Sequence, residues 1–160
     1  QYADLTAAYD ASVTGDTLLI EGTSTTYSYN TTSFGKELVI IGQGYNTQKQ
    51  AFFPSMIGRF ATVTAFNFTT GANGSKFYGI NFSNAGPINI SASDMLFENC
   101  LFDRSVSISG SNNIFINCVF PYSDVNITSS SVNTTNLIPL ESKPSALSKA
   151  PRSVSKSIFV

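Results

Sequence analysis

Apolar residues recur along this chain in short alternating runs, not in helical stripes. Lys76-Phe77-Tyr78-Gly79-Ile80-Asn81-Phe82 is followed by Leu96-Phe97-Glu98-Asn99-Cys100-Leu101-Phe102 and then by Ile114-Phe115-Ile116-Asn117-Cys118-Val119-Phe120. The shared pattern is Phe-x-x-apolar-x-Phe, with Ile80, Cys100 and Cys118 equivalent and spacings of 20 and 18 residues. A second ladder runs in phase: Ile88-Asn89-Ile90-Ser91, Val106-Ser107-Ile108-Ser109 and Val125-Asn126-Ile127-Thr128, spaced by 18 and 19. Alternation is the period of a strand, and the Gly, Asn, Ser and Asp between segments are turn residues. Two patterns sharing one short period predict a solenoid. Each repeat is too short to hold a full helix as well as its strands. Equivalent segments should pair in parallel one coil apart, about 4.8 Å. Phe82, Phe102 and Phe120 would then form an inner aromatic column, and Ile90, Ile108 and Ile127 an aliphatic one.

The N-terminal region reads differently. Asp4–Ala11 predicts a short helix with Leu5, Ala8 and Tyr9 on one face, ended by Gly15-Asp16. Strands follow at Thr17–Ile20 and Glu37–Ile41, each closed by glycine. A helix across the first coil would cover its open core and unpaired edge. The expected organisation is an all-β chain: cap helix in 1–16, a parallel β-helix of about six coils in 17–137, and a Ser/Lys/Pro-rich basic tail in 138–160.

The helix, the run Ala11-Ser12-Val13-Thr14-Gly15-Asp16-Thr17-Leu18-Leu19-Ile20-Glu21-Gly22 and the run Leu38-Val39-Ile40-Ile41-Gly42-Gln43-Gly44 resemble the opening of right-handed parallel β-helix proteins of the pectate-lyase-like superfamily. Phe97-Glu98-Asn99-Cys100-Leu101-Phe102 and Phe115-Ile116-Asn117-Cys118-Val119-Phe120 resemble its coils. The resemblance covers about residues 3–128 and concerns the fold, which carries many activities.

Composition narrows the function classes. The chain has 160 residues, one domain's worth, and 42% are apolar, enough for a core. Charged residues are 12%, about half the usual share. Ser, Thr and Asn supply 53 residues. There is no His, so imidazole chemistry is excluded. A net charge of -1 speaks against nucleic acid, and no apolar run is long enough to span a membrane. Low charge and many small polar residues suit a secreted or cell-surface protein. Seven Asn-x-Ser/Thr sites are candidate glycosylation positions: Asn30, Asn67, Asn73, Asn81, Asn89, Asn126 and Asn133. Two Cys are too few for a disulfide scaffold. Cys100 and Cys118 should face inward on adjacent coils, either as buried free thiols or as a disulfide.

Enzymes of the resembled superfamily cleave acidic polysaccharides with Arg or Lys bases and Asp-held calcium, or with clustered Asp beside His and Arg-x-Lys. This sequence has no His, no Asp-Asp pair and no Arg-x-Lys. Its best carboxylate cluster is Asp94, Glu98 and Asp103 with Arg104, and Asp124 one coil later. Asp103, Arg104 and Asp124 are the catalytic candidates, since glycosidases need two carboxylates at a set separation. No cofactor or metal is expected. Asn99 and Asn117 should stack as a structural ladder. Asn89 and Ser91, Ser107 and Ser109, and Asn126 and Thr128 should form two outward polar columns. With Tyr78 and Tyr122, and the further tyrosines Tyr27, Tyr29 and Tyr45, these columns are candidates for carbohydrate contact.

The tail carries four positive charges and one negative, with Pro139, Pro144 and Pro151. It reads as a flexible segment or as an arm packed on the solenoid or a neighbouring subunit. The functional expectation is a structural or adhesive module that assembles with itself through coil ends or tail. A carbohydrate-binding module and a minimal polysaccharide lyase or hydrolase are the alternatives.

Overall fold

The computed structural model describes residues 2, 4–21, 27, 29, 33–42, 58–60, 66–82, 86–121, 125–129, 131–135 and 138–139, with the backbone alone at 58–60, 66 and 138–139. Among these residues one α-helix, α1 (Leu5–Ala11), precedes sixteen strands, with a single 3-10 turn at Thr70–Ala72. Sheet 1 is β1 (Thr17–Leu19), β3 (Val39–Ile41), β6 (Lys76–Tyr78), β9 (Leu96–Glu98), β12 (Asn113–Ile116) and β15 (Val132–Thr135). Sheet 2 is β4 (Gly58–Phe60), β7 (Ile80–Phe82), β10 (Leu101–Phe102), β13 (Val119–Phe120) and β16 (Ile138–Pro139). Sheet 3 is β2 (Ser33–Phe34), β5 (Phe66–Phe68), β8 (Ile88–Ile90), β11 (Val106–Ile108) and β14 (Val125–Ile127). Neighbours within each sheet pair in parallel. The chain therefore winds through the three sheets in turn as a parallel β-solenoid. Among the described residues four coils are complete (β3–β5, β6–β8, β9–β11, β12–β14), and β1–β2 and β15–β16 are partial. About six were expected; the interval from Ile41 to Gly58 takes up about one period, and the two end coils are incomplete among the described residues. The last pairing, Phe120 with Pro139, carries the solenoid two residues past the expected boundary at 137.

The core is columnar. Phe77, Phe97 and Phe115 stack at centroid separations of 5.2 and 4.9 Å. Phe82, Phe102 and Phe120 stack at 4.9 and 4.8 Å, the last pair within 3° of parallel. The register is Phe77 with Phe97 with Phe115, and Phe82 with Phe102. Identical side chains at one coil spacing fall naturally into offset stacks, worth about 0.5–1.5 kcal/mol per pair beyond burial. In sheet 3, Phe34, Phe68, Ile90 and Ile108 continue the core. Ile127, expected inside, is 39% exposed because no described coil stacks beyond β14.

Corners are made by residues that tolerate the left-handed region. Gly79, Asn99 and Asn117 have φ of 64°, 55° and 53°, and Gly74, Asp94 and Asn112 have 80°, 59° and 57°. Only Gly, Asn and Asp visit that region readily, so the Asn99 and Asn117 pattern is a backbone requirement of the corner between sheets 1 and 2. A second corner is fixed by side chains. Ser93 N–H donates to Asn73 Oδ1 (2.8 Å), and Ser111 N–H to Ser93 Oγ (3.0 Å).

α1 begins at Asp4, whose Oδ1 accepts from Ala7 N–H at 2.7 Å. It ends at Ala11, as the sequence predicts, since the C-cap Ser12 turns extended and its hydroxyl donates to Tyr9 O at 2.7 Å. Leu5 and Tyr9 are buried; the Tyr9 ring packs 5.3 Å from Tyr29 and 4.9 Å from Phe34. The helix thus closes the N-terminal end of the aromatic core.

Candidate functional site

The outer face of sheet 3 carries the polar columns. Register places Ser33, Asn67, Asn89, Ser107 and Asn126 in one line. Thr69, Ser91, Ser109 and Thr128 form the second, each N–H bonded to the preceding coil. The pattern identified three levels; Ser33, Asn67 and Thr69 extend them. These were missed because the lengthened coil puts Ser33 at 34 positions before Asn67, and Asn67 lies 22 positions before Asn89, both outside the 18–19 spacing of the ladder. Asn89 Nδ2 donates to Asn67 Oδ1 at 2.7 Å, so this column is itself an amide ladder. The hydroxyls of Thr69 and Thr128 turn back to Phe34 O and Ile108 O, both at 3.3 Å. Ser91, Ser109, Asn126 and Thr128 are exposed, while Asn89 and Ser107 are half-buried. The face is narrow, regular and uncharged.

The aromatic residues do not join it. Tyr78 is half-buried at the end of β6 in sheet 1, in register with Ile41 and Glu98, at the corner leading into sheet 2. Tyr29 is buried at 1% exposure, its hydroxyl donating to Ser33 O at 3.0 Å. It belongs to the core, so its candidacy for sugar stacking is withdrawn. Tyr27 is partly buried against the same core. Tyr45 and Tyr122 lie outside the described residues.

The carboxylates are dispersed around one coil. Asp94 sits at the corner before β9 and accepts from Asn112 Nδ2 at 3.0 Å. Glu98 ends β9, and Asp103 follows β10. Arg104 folds onto its neighbour: Nη1 donates to Asp103 O at 2.7 Å and stands 3.8 Å from Asp103 Oδ1. Both side chains are well solvated, so this pair contributes little to stability. Asp124 lies outside the described residues. Among the described residues no three Cys, Asp or Glu side chains are placed to hold a metal ion.

Cys100 and Cys118 are free and buried. Their thiols approach Glu98 O and Phe97 O, both at 3.4 Å. Burial, and then the hydrogen bond and charge of Cys118, push the Cys100 thiol well above its ordinary pKa. A protonated, enclosed thiol is a poor nucleophile, so these cysteines read as packing residues.

Of the glycosylation candidates, Asn73, Asn126 and Asn133 are exposed, and Asn67 and Asn89 are half-buried and bonded to each other. Asn81 is buried at 7% exposure with Oδ1 enclosed; a glycan there is incompatible with the packed coil. Asn30 lies outside the described residues.

One surface was not anticipated. Between α1 and β1 runs an open groove of about 290 Å³, lined by residues that include Tyr2, Leu5, Leu19 and Glu21. It follows the outer edge of β1, the terminal strand of sheet 1. Its only sequence signal was Leu19, an apolar residue on the outward phase of an edge strand. No family model, curated protein or solved structure matches the chain.

Proposed function

We propose that this chain is a non-catalytic structural module of a secreted or cell-surface protein, and that it associates with further copies through the ends of its solenoid. The supporting observation is the inequality of those ends. At the N-terminal end α1 lies over the aromatic core. At the other end Ile127 is 39% exposed, and Val125 and Val132 are only partly buried. β14 and β15 are terminal strands, so their outer edges have no strand partner among the described residues. Apolar side chains beside unpaired backbone groups form a template for another chain. Kinship with the pectate-lyase-like superfamily is part of the same proposal and rests on the coil motifs quoted above. The test is light scattering of the intact chain over a concentration series. Mass rising with concentration, and falling in Ile127→Glu, supports the reading; a monomer throughout rejects it.

A second reading, carbohydrate binding, is favoured by the polar columns of sheet 3. Their exposed Ser91, Ser109 and Thr128 present hydroxyl-bearing side chains at successive coil spacings on an uncharged face. Retention on a polysaccharide panel, lost in Ser109→Lys, would support it. No retention on any polysaccharide would remove it.

A further inference from the structure

Charge is sorted along this chain. Residues 1–35 contain Asp4, Asp10, Asp16 and Glu21 and no Lys or Arg, residues 36–140 balance five of each sign, and residues 141–160 carry a net +3. The described part of this stretch supplies α1, β1 and most of the groove between them. Asp4 and Glu21 line that groove together with Leu5 and Leu19. Leu19 is 77% exposed and Tyr2 58% exposed beside it. Among the described residues the outer edge of β1 has no strand partner. An apolar floor, carboxylates and a free strand edge together specify an extended, basic, apolar segment.

The chain contains one such segment. After Pro151, the run Arg152-Ser153-Val154-Ser155-Lys156-Ser157-Ile158-Phe159-Val160 has no proline to interrupt a ladder. Extended, it would put Arg152, Val154, Lys156, Ile158 and Val160 on one face and three serines with Phe159 on the other. The first face combines cations and aliphatics as the groove combines carboxylates and aliphatics. The position of β16 favours a second copy as the source. β16 lies on the last coil, and β1 is five strand spacings away in sheet 1 from β15, about 24 Å. When two solenoids lie end to end, the last coil of one, from which the segment leaves, faces the β1 end of the next. α1 prevents the coils themselves from fusing at that end.

We infer that residues 152–160 of one copy add as a strand to the outer edge of β1 in the next copy, joining closed end to open end. This rests on the self-association proposed above and identifies its receiving site. The test is the intact chain beside Leu19→Arg/Glu21→Lys, both at exposed positions, followed by light scattering and circular dichroism. The double variant should keep its fold and lose at least tenfold in association constant, and added salt should weaken the wild type in the same direction. A matching Arg152→Glu/Lys156→Glu chain should associate with a Glu21→Lys chain better than either does with itself. Association unchanged in the double variant overturns the groove as receiving site while leaving self-association standing. A wild-type chain that stays monomeric overturns both.

Discussion

Lys36 closes the C-terminal end of α1 through Tyr9. Its Nζ donates to Tyr9 O at 2.6 Å, to Ser12 O at 2.9 Å and to Asp10 O at 3.3 Å, and lies 4.5 Å from the Tyr9 ring centroid. One cation therefore meets the negative end of the helix, the carbonyls of its last turn and C-cap, and an aromatic face. The Tyr9 hydroxyl in turn accepts from Gly35 N–H at 2.9 Å. Helix and first coil are locked by a reciprocal pair of contacts one residue apart.

Lys36→Met keeps the aliphatic stem and removes the charge. It should lower stability by about 1–2 kcal/mol, the scale of a partly buried cation at a helix C-terminus. The loss should be local first, with faster hydrogen exchange at the Ser12 amide, which bonds to Ala8 O and Tyr9 O. An unchanged midpoint and unchanged Ser12 exchange would show that α1 is held by Leu5 and Tyr9 burial alone.

Asn113 is fully buried and bridges coils: Met95 N–H donates to its Oδ1 at 3.0 Å, and its Nδ2 donates to Ala92 O at 2.9 Å and Gly110 O at 3.1 Å. Two coils earlier in the same column, Ser75 Oγ accepts from Leu38 N–H at 3.1 Å. Asn113→Ala strands the Met95 N–H, which alone costs about 1–3 kcal/mol. Asn113→Ser should recover part of that loss, since serine performs the task at position 75. Equal denaturation midpoints for the two variants would show that water replaces the side chain.

Gly110 is required for space. A Cβ there would lie 1.8 Å from Ala92 O and 2.5 Å from its carbonyl carbon. The Gly110 N–H donates to Ile90 O at 3.0 Å, so the backbone is held against its neighbour. Gly110→Ala should cost at least the upper part of the usual overpacking range, about 3 kcal/mol. Gly15 has φ of 94° and nothing within 4 Å of an added Cβ, so Gly15→Ala should cost only about 1–2 kcal/mol. Chemical denaturation of the two variants measures the difference; a smaller loss at Gly110 would mean that the coils separate easily.

These residues show which parts of the structure were legible in the sequence. Phe77, Phe97 and Phe115 were readable because one residue type recurs at one period, and stacking selects like on like. The column of Leu38, Ser75, Met95 and Asn113 was not, because its apolar and polar members alternate and the polar ones act on a backbone group of the preceding coil. Asn67 escaped because the coil before it is lengthened. Tyr78 was grouped with Asn89 and Ser107 on composition, but the αL corner at Gly79 puts it at the junction of sheets 1 and 2, away from sheet 3. The groove beside β1 depends on where α1 docks, and that is set by Lys36 and Tyr9 through contacts with no periodic signature.

Cys100 offers a check on the packed core through pH. Burial raises its pKa well above the ordinary thiol value. In the unfolded chain the thiol ionises near pH 8.5, whereas in the folded chain it keeps its proton to higher pH. The folded state therefore binds more protons above that point, and stability falls as pH rises. Below about pH 8 this group contributes no pH dependence. Above pH 9 it should subtract up to about 1.4 kcal/mol per pH unit until the folded thiol itself ionises. Cys100→Ala should flatten that part of the stability profile relative to the wild type. Both thiols should resist an added thiol reagent at neutral pH and react together on unfolding. Rapid modification of the native protein, or identical alkaline slopes in the two proteins, would place Cys100 outside the sealed core between Phe77 and Cys118.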